Sequence, residues 1–396
     1  MNSTPLANRK HIAVFGNMNA GKSSLVNALT GQAISIVSPV KGTTTDPVKK
    51  AMELVPFGPV VFIDTAGLDD VGDLGKARAE RSKAVLKETD FALYVLDAEQ
   101  PNDRALKEMV SLFNEYSTPY LLIINKMELV ELEVLEELRK KYPEALTVSA
   151  VMGNGIDVLR EKLIEQLQKE GEDAPLVGDL LPLGAKVIMV VPVDSEAPKG
   201  RLILPQVQVI RDCLDHGIKS YVVRDAELAS ALLDMPDADL VITDSQAFAK
   251  VNAIVPGHIK LTSFSMLLAR QKGNFNTFLK GVETINHLTA DSRILIAEAC
   301  THNHTHEDIG RIKIPRLLNK YTGYTLQYDF YTGRDFPENL KDYQLVIHCG
   351  ACMINKKAVT SRLLECKKAG LPITNYGILL AKVNGILDRT VEVMVK

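Results

Sequence analysis

A glycine-rich octapeptide near the amino terminus constrains the fold of this chain more than any other feature. Residues 16–23 read GNMNAGKS and fit G-x-x-x-x-G-K-[ST], directly after the apolar run HIAVF and before the amphipathic segment SSLVNALTG. A loop between a buried strand and a helix presents backbone N–H groups and the helix N-terminus to phosphates. In such a loop Lys22 reaches the β and γ phosphate oxygens and the Ser23 hydroxyl binds Mg²⁺. The octapeptide therefore predicts a site for nucleotide phosphates.

Apolar runs of strand length alternate with helix-length amphipathic segments along most of the 396 residues. This alternation is typical of α/β folds with mostly parallel sheets. The first series ends before the Gly- and Pro-containing stretch GEDAPLVGDLLP, which we predict to be a linker. A polar break, RQKGNFN, follows near Lys272. We predict a P-loop domain with a doubly wound, mostly parallel sheet, followed by two smaller α/β domains. The predicted bounds are 1–172, 183–271 and 272–396.

Composition limits the class of protein. Hydrophobic residues make up 46% and charged residues 24% of the chain, which is typical of folded globular proteins. The net charge of −3 disfavours nucleic acid as the main partner. No apolar run reaches the length of a membrane span and the first residues lack an apolar signal core, so we expect a cytoplasmic protein without membrane contact.

Two further motifs follow the phosphate loop in the order that a nucleotide-hydrolysing site requires. Asp64 and Gly67 lie in DTAG at the end of a buried strand, where they would supply an acidic group beside Mg²⁺ and an N–H for the γ-phosphate. Thr44, in GTTTD, is a switch-type hydroxyl that could close on the metal. The predicted catalytic residues are Lys22, Thr44, Asp64 and Gly67, with Ser23 and Thr44 as Mg²⁺ ligands.

A third set of residues is suited to a guanine base. Asn125 and Lys126 follow the strand YLLII, where an amide can hydrogen-bond guanine and a lysine stem can cover the ring, and Glu128 supplies a carboxylate for guanine N1 and N2. Ser149 and Ala150 end the next strand. The predicted nucleotide-binding residues are Gly16, Asn17, Asn19, Ala20, Gly21, Lys22, Ser23, Ser24, Asp64, Gly67, Asn125, Lys126, Glu128, Ser149 and Ala150.

Over the first predicted domain these motifs resemble the TrmE and Era group of GTPases. That group has NKxD where this chain has NKME with Glu128, and TTRD where Thr45 replaces the arginine. Leu68 follows DTAG at the position of the water-orienting glutamine of Ras-type enzymes, which predicts slow GTP hydrolysis. The resemblance implies that Asn19 helps to hold a K⁺ ion. The alternative is that Asn19 is only a turn residue, favoured for backbone reasons.

Two tracts rich in Cys and His come directly after predicted strands. Their candidate metal ligands are Cys300, His302, His304, Glu307, His348, Cys349 and Cys352. The carboxyl ends of strands collect ligands in open α/β sheets. Three thiolates with one other ligand suit an iron–sulfur cluster, while a structural Cys₃His zinc site and a redox Cys-x-x-Cys pair remain alternatives. Cys213 and Cys366 lie on apolar helical patterns and are predicted to be packing residues.

The GTPase-like segment, the middle segment PKGRLILPQVQVIRD and the pattern C-x-H…H-C-x-x-C together resemble the HydF family of FeFe-hydrogenase maturation factors. The resemblance implies a 4Fe-4S cluster on Cys300, Cys349 and Cys352. It also implies a scaffold that receives a diiron precursor from radical SAM maturases and delivers it to apo FeFe-hydrogenase, with GTP as regulator. Candidates for an exchangeable fourth cluster ligand are His302, His304, Glu307 and His348.

The middle segment has a different predicted role. Between about Lys186 and Arg270, apolar runs such as VIMVVPV occur without a polar or metal-binding signature. We expect a homodimer interface here, formed by joining sheet edges. The competing interpretation of the whole chain is an RNA-modifying or ribosome-associated GTPase with a structural zinc domain, against which the mild acidity and the lack of a basic, aromatic-interleaved tail count.

Overall fold

The computed structural model describes residues 4–31, 39–40, 47–65, 76–169, 171, 173–192, 202–299, 308–333, 336–337 and 339–394. The chain divides into two compact units, Met1–Glu172 and Asp173–Lys396. The predicted division of the second unit near residue 272 stays a prediction. Several predicted site residues lie outside the described residues, namely Thr44, Gly67, Cys300, His302, His304 and Glu307.

The first unit contains a seven-stranded sheet. Its strands are β1 (Lys10–Gly16), β2 (Pro39–Val40), β3 (Val48–Leu54), β4 (Gly58–Asp64), β5 (Phe91–Asp97), β6 (Tyr120–Asn125) and β7 (Leu146–Thr147). Their order is β2-β3-β4-β1-β5-β6-β7, and all neighbours from β4 to β7 are parallel, whereas β2, β3 and β4 pair antiparallel. The predicted doubly wound, mostly parallel sheet is confirmed.

Helices cover both faces of this sheet. They are α1 (Lys22–Gly31), α2 (Lys76–Leu86), α3 (Asp103–Glu115), α4 (Leu132–Lys141) and α5 (Ile156–Lys169). Successive residues of β1 point to opposite faces, so Val14 packs with α1 and α5 while Phe15 packs with α2, α3 and α4. Burial of both faces explains why β1 is apolar along its whole length rather than alternating.

The second unit contains two parallel four-stranded sheets. The first is formed by β8 (Lys186–Val190), β9 (Lys219–Val223), β10 (Leu240–Thr243) and β11 (Lys260–Ser263), in the order β11-β10-β8-β9. The second is formed by β12 (Arg293–Glu298), β13 (Gln327–Thr332), β14 (Leu345–His348) and β15 (Ile373–Asn375), in the order β13-β12-β14-β15. These sheets confirm the predicted α/β character of the carboxyl-terminal part.

The helices of the second unit are α6 (Leu204–Asp215), α7 (Leu228–Asp234), α8 (Phe248–Ile254), α9 (Phe264–Lys272), α10 (Phe275–Val282), α11 (Ile314–Thr322), α12 (Lys356–Ala369), α13 (Tyr376–Val383) and α14 (Leu387–Val391). A π-helical turn, Ile309–Lys313, runs directly into α11. Pro315 lies in the first turn of α11. None of the helices in the described ranges has the length and apolar character that crossing a membrane requires.

The stretch predicted as a linker is attached to the second unit. The Asp212 carboxylate in α6 accepts backbone N–H groups from Leu176, Val177 and Gly178, at 3.1, 2.8 and 2.9 Å. The side chains of Leu176 and Val177 are buried in the core beside α6. The second unit therefore begins before its first strand.

Candidate functional site

The glycine-rich loop follows β1, the strand at which the order of the first sheet changes direction. Gly16 has φ +149° and Gly21 has φ +89°. A Cβ at Gly16 would overlap the carbonyl of Val95, and one at Gly21 would overlap the amide of Asn125. Both positions therefore require glycine, because the loop lies against its neighbouring strands and has a backbone that other residues rarely adopt.

Lys22 is the first residue of α1 and is buried. Its Nζ donates to the carbonyl oxygens of Gly16 at 3.0 Å and Asn17 at 2.9 Å. These bonds hold the ammonium group over the loop, on the side where the helix N-terminus favours negative charge. Asn19 has φ +63° and is exposed, so its backbone takes the turn role that asparagine tolerates.

Asn125 connects the loop to the predicted base-recognition residues. Its Nδ2 donates to the carbonyl of Ala20 at 3.0 Å, and its Oδ1 accepts the N–H of Ala150 at 3.0 Å. Ser149 is fully buried next to Ala150. The structure thus brings together residues that are more than 100 positions apart in the chain, as the motif order predicts.

Lys126 and Glu128 follow the end of β6. Lys126 has φ +65°, and its Nζ donates to Asp97 at the end of β5, at 2.6 Å. This bond fixes the direction of the lysine stem. Glu128 lies in the short 3₁₀ turn Met127–Leu129 and is exposed, so its carboxylate is accessible to a ligand. Asp97 was not found by sequence analysis, because its role depends on the pairing of β5 with β6.

Asp64 ends β4 and pairs in register with Val14 of β1. It is buried, and the hydroxyl of the following Thr65 donates to the carbonyl of Val14 at 2.6 Å. Ser23 and Ser24 lie in the first turn of α1, half-buried and exposed respectively. The acidic residue therefore lies on the strand that pairs with β1, next to the phosphate loop.

The cysteine site lies at the carboxyl edge of the last sheet. Cys349 directly follows β14, and its Sγ accepts N–H groups from Ala299 at 3.0 Å and Ala351 at 3.4 Å. Ala299 directly follows β12 and precedes Cys300 in the chain. Asn375, the last residue of β15, donates its Nδ2 to the carbonyl of Cys349 at 3.2 Å. Three neighbouring strands thus end around Cys349.

Burial keeps both thiols of this site protonated. It raises the pKa of Cys352 to about 11, an effect that the Cys349 thiol increases and Lys272 opposes. Burial also raises the pKa of Cys349, while the N–H groups of Ala351 and Ala299 act in the opposite direction. Metal binding requires thiolates, so a metal or cluster bound here must displace these protons.

Both ring nitrogens of His348 form hydrogen bonds within the protein. Arg362 donates its NH1 to His348 Nε2 at 2.9 Å, which leaves the ring proton on Nδ1 to be donated to the carbonyl of Cys349 at 2.8 Å. Burial, and then the charge of Arg362, lower the pKa of His348 to about 3. The imidazole is therefore neutral, with both nitrogens in hydrogen bonds.

A second polar group beside the cysteines was not anticipated from the sequence. The Tyr376 hydroxyl donates to Glu298 Oε1 at 3.4 Å, and both side chains are buried. Burial, with Cys349 and Glu298 nearby, raises the pKa of Tyr376. The signal in the sequence was Glu298, a carboxylate that directly follows the apolar run ILIA of this strand.

Two thiols of the cysteine loop are suited to the predicted metal group. Within the described ranges, which exclude residues 300–307, no three His, Cys, Asp or Glu side chains converge as a metal site. Cys349 and Cys352 supply two soft sulfur donors from one loop, and such donors fit an iron–sulfur cluster or zinc. Cys213 and Cys366 are fully buried in α6 and α12, as predicted for packing residues.

Comparison with protein families decides the classification. Residues 176–273 match the hydrogen maturase F dimerization domain, and residues 276–393 match the hydrogen maturase F tetramerization domain. Together these two matches cover more than half of the chain. The chain belongs to the hydrogen maturase F (HydF) family. Residues 11–126 match a family described as 50S ribosome-binding GTPase, and the first unit is a P-loop GTPase domain.

Individual relatives are similar over the GTPase part. The chain is 38% identical over 162 residues to GTPase Der of Wolinella succinogenes, covering 38% of this chain and 34% of the relative. It is 35% identical over 153 residues to the tRNA modification GTPase MnmE of Bordetella parapertussis, covering 38% and 32%. A solved Era structure from Aquifex aeolicus is 23% identical with a TM-score of 0.32, over 54% of this chain and 93% of that one. The chain thus spans about a third of these curated relatives.

Proposed function

We propose that this protein is a GTP-regulated scaffold. It binds and slowly hydrolyses GTP in its first unit and holds a 4Fe-4S cluster in its second. It then passes a diiron precursor from radical SAM maturases to apo FeFe-hydrogenase, in the cytoplasm. The observation that carries the cluster is the hydrogen bond from the N–H of Ala299 to Cys349 Sγ, because Cys300 follows Ala299 directly. This contact supports a site in which Cys300 joins Cys349 and Cys352.

The proposed GTP site assigns one task to each motif. The Lys22 ammonium group, now on the carbonyls of Gly16 and Asn17, would move to the β and γ phosphates. Ser23, Thr44 and Asp64 would hold or face Mg²⁺, and the Gly67 N–H would contact the γ-phosphate. The Asn125 amide, the Lys126 stem, the Glu128 carboxylate and the loop at Ser149 and Ala150 would hold the guanine. We assign to Asn19 a K⁺ ion against the phosphates.

Nucleotide binding and hydrolysis test this site. Lys22→Ala should abolish GTP binding, and unimpaired binding would overturn the assignment. GTP hydrolysis should be faster in potassium salt than in sodium salt, and equal rates would contradict the assignment of a K⁺ ion to Asn19. Glu128→Asp should bind guanine nucleotides at least as tightly as the parent, because the shorter carboxylate matches the NKxD motif. Weaker binding by this variant would show that the exposed turn needs the longer side chain.

The proposed cluster takes three thiolates and an exchangeable fourth ligand. The candidates for this ligand are His302, His304, Glu307 and His348. Ligation by His348 would require loss of its hydrogen bond with Arg362 or with the Cys349 carbonyl, so the first three are favoured. When bound, the cluster would supply an iron atom with a weakly held ligand, at which an incoming diiron fragment could attach.

Anaerobic reconstitution with iron and sulfide tests the cluster. The reduced protein should give the EPR signal of a 4Fe-4S cluster. Cys349→Ser and Cys352→Ser should lose most of the iron and fail to activate apo-hydrogenase, while GTP hydrolysis continues. Cys213→Ser is the matched control, because Cys213 is fully buried in α6, outside the loop that carries Cys349 and Cys352, and its replacement should not affect iron binding. Zinc in place of iron, or equal loss in the control, would contradict the proposal.

The second unit also carries the proposed homodimer interface. In the described part of the chain, β9 pairs with β8 alone, and Lys219, Ser220 and Val222 on it are exposed. An edge strand of this kind can pair with another chain. We assign the homodimer interface to this edge, within the region that matches the dimerization domain. Light scattering of Val222→Pro should give a lower mass than the parent, and an unchanged mass would exclude this edge.

A further inference from the structure

A buried lysine lies under the cysteine loop. Lys272 is the last residue of α9, and its side chain is 4% exposed. Its Nζ donates to the carbonyl of Ala351 at 3.0 Å and to the carbonyl of Ile354 at 2.9 Å. Both carbonyls belong to the loop that carries Cys349 and Cys352. The lysine therefore contacts the loop without touching its sulfur donors.

Such a position is costly for an ammonium group unless negative or dipolar groups compensate it. Lysine is almost never fully buried without a partner. Burial lowers the pKa of Lys272 to about 8, while Cys352, Asp173 and Cys349 act in the opposite direction. The carbonyl dipoles and the carboxylate of Asp173 are present in the protein itself, and the two cysteines add further negative charge near the lysine when they are thiolates.

The loop conformation depends on the same contacts. Ala351 has φ +56°, a left-handed conformation that costs about 1–2 kcal/mol for a residue with a Cβ. Its N–H donates to Cys349 Sγ, and its carbonyl accepts from Lys272. The peptide groups of Ala351 are thus held on one side by the thiol and on the other by the ammonium group.

We propose that Lys272 is the positioning and charge-compensating residue of the cysteine site, which fixes the loop from Cys349 to Ile354 and stabilises the reduced state of the bound cluster. This inference rests on the proposed cluster. A cluster with three thiolates is anionic, and reduction adds one more negative charge without changing the ligands. A fixed positive charge nearby stabilises the more negative state more strongly, and local charge and hydrogen bonds to sulfur are known determinants of cluster potential.

Three variants of the full chain separate charge from position. Lys272→Met removes the charge and keeps an unbranched side chain, whereas Lys272→Arg keeps the charge but presents a planar group that does not reproduce the two-carbonyl geometry. Lys382→Met is the control, because Lys382 pairs with Glu283 on the surface and its loss changes the net charge equally. Each reconstituted protein is titrated by EPR-monitored reduction, and its iron loss to a chelator is timed.

We expect Lys272→Met to shift the midpoint potential to more negative values and to lose iron about tenfold faster, the effect typical of a lost contact to a metal ligand's surroundings. Lys272→Arg should keep the potential near that of the parent but lose iron faster. Lys382→Met should match the parent in both measurements. A parent-like potential in Lys272→Met would overturn the charge role, and parent-like iron loss in both Lys272 variants would overturn the positioning role.

Amide hydrogen exchange of the metal-free proteins distinguishes failure of this inference from failure of the cluster proposal. If the parent takes up no cluster, the cluster proposal fails, but exchange at residues 349–355 still tests the loop contact. Exchange there should be faster in both Lys272 variants than in Lys382→Met. Equal protection would overturn the positioning role whether or not the cluster forms. If Lys272→Met does not fold, Lys272→Arg provides this comparison by itself.

Discussion

At the scale of single residues, Asn125 contributes most to joining the nucleotide site. Its amide uses both ends, donating to Ala20 and accepting from Ala150, and it is 2% exposed. We expect Asn125→Ala to reduce the free energy of unfolding of the first unit by about 2–3 kcal/mol, because it leaves the buried carbonyl of Ala20 and the half-buried N–H of Ala150 unpaired. Urea unfolding followed by circular dichroism measures this loss.

The control for this prediction is Asn114→Ala. Asn114 lies in the last turn of α3 and is exposed, so its replacement should change the free energy of unfolding by about 0.5 kcal/mol or less. GTP binding should weaken in Asn125→Ala and stay unchanged in Asn114→Ala. Equal stability of the two variants would show that water satisfies the groups that Asn125 now contacts.

The cysteines allow a second prediction at this scale. Burial raises the pKa of Cys366 to about 12, and it also raises the pKa of Cys213. Only the thiolate reacts with maleimides, and neither side chain is exposed. In the native protein at neutral pH, mass spectrometry after maleimide treatment should show both thiols unmodified, and denaturation should expose both. Rapid labelling of Cys366 in the native state would contradict the packing role.

Sequence reasoning identified those residues whose role follows from local order. The loop from Gly16 to Ser23 and the dipeptide at Asn125 lie in motifs with fixed neighbours, and the structure brings them together. Lys272 and Arg362 were not found, because their partners lie 79 and 14 positions away and share no motif with them. Lys272 lies four positions after Leu268, which places it on the buried face of α9. That spacing predicts its burial but not its partners.

At the scale of elements, the stretch before β8 shows what hydrophobic periodicity leaves out. Its Gly, Pro and acidic residues predict a linker, and the sequence gives no sign of the Asp212 carboxylate that binds three of its N–H groups. Those groups are 34 to 36 positions from Asp212, so only the packing of α6 brings them together. Strands and helices were predictable because their apolar spacing is local, whereas this attachment was not.

Replacement of Asp212 tests this attachment. We expect Asp212→Ala to destabilise the second unit by about 2–4 kcal/mol, because three N–H groups lose a charged acceptor. Limited proteolysis should then cleave between residues 173 and 182 faster than in the parent. Asp215→Ala on the same helix removes only a surface pair with Arg211 and should leave the cleavage rate unchanged. Equal cleavage of both variants would argue against the attachment.

At the scale of the whole molecule, each hydrophobic core cluster draws its described residues from one unit only. The clusters of the first unit include Leu25 and Phe113, and those of the second include Val209 and Ile347. A domain that buries its own core can fold alone. We therefore expect the fragments 1–172 and 173–396 to fold separately, and the full chain to show two thermal transitions.

A nucleotide should stabilise only one of these transitions. A non-hydrolysable GTP analogue with Mg²⁺, at about 100 times its dissociation constant, should add about 3 kcal/mol to the first unit, which corresponds to about 6–10 °C in Tm. The shift should appear in the fragment 1–172 and in the matching transition of the full chain, while 173–396 alone should not respond. In the full chain, Lys22→Ala should remove the shift of the first transition without lowering the Tm of the second unit's transition. A shift of both transitions in the full chain would contradict this independence and would show that nucleotide binding is energetically coupled to the cysteine unit.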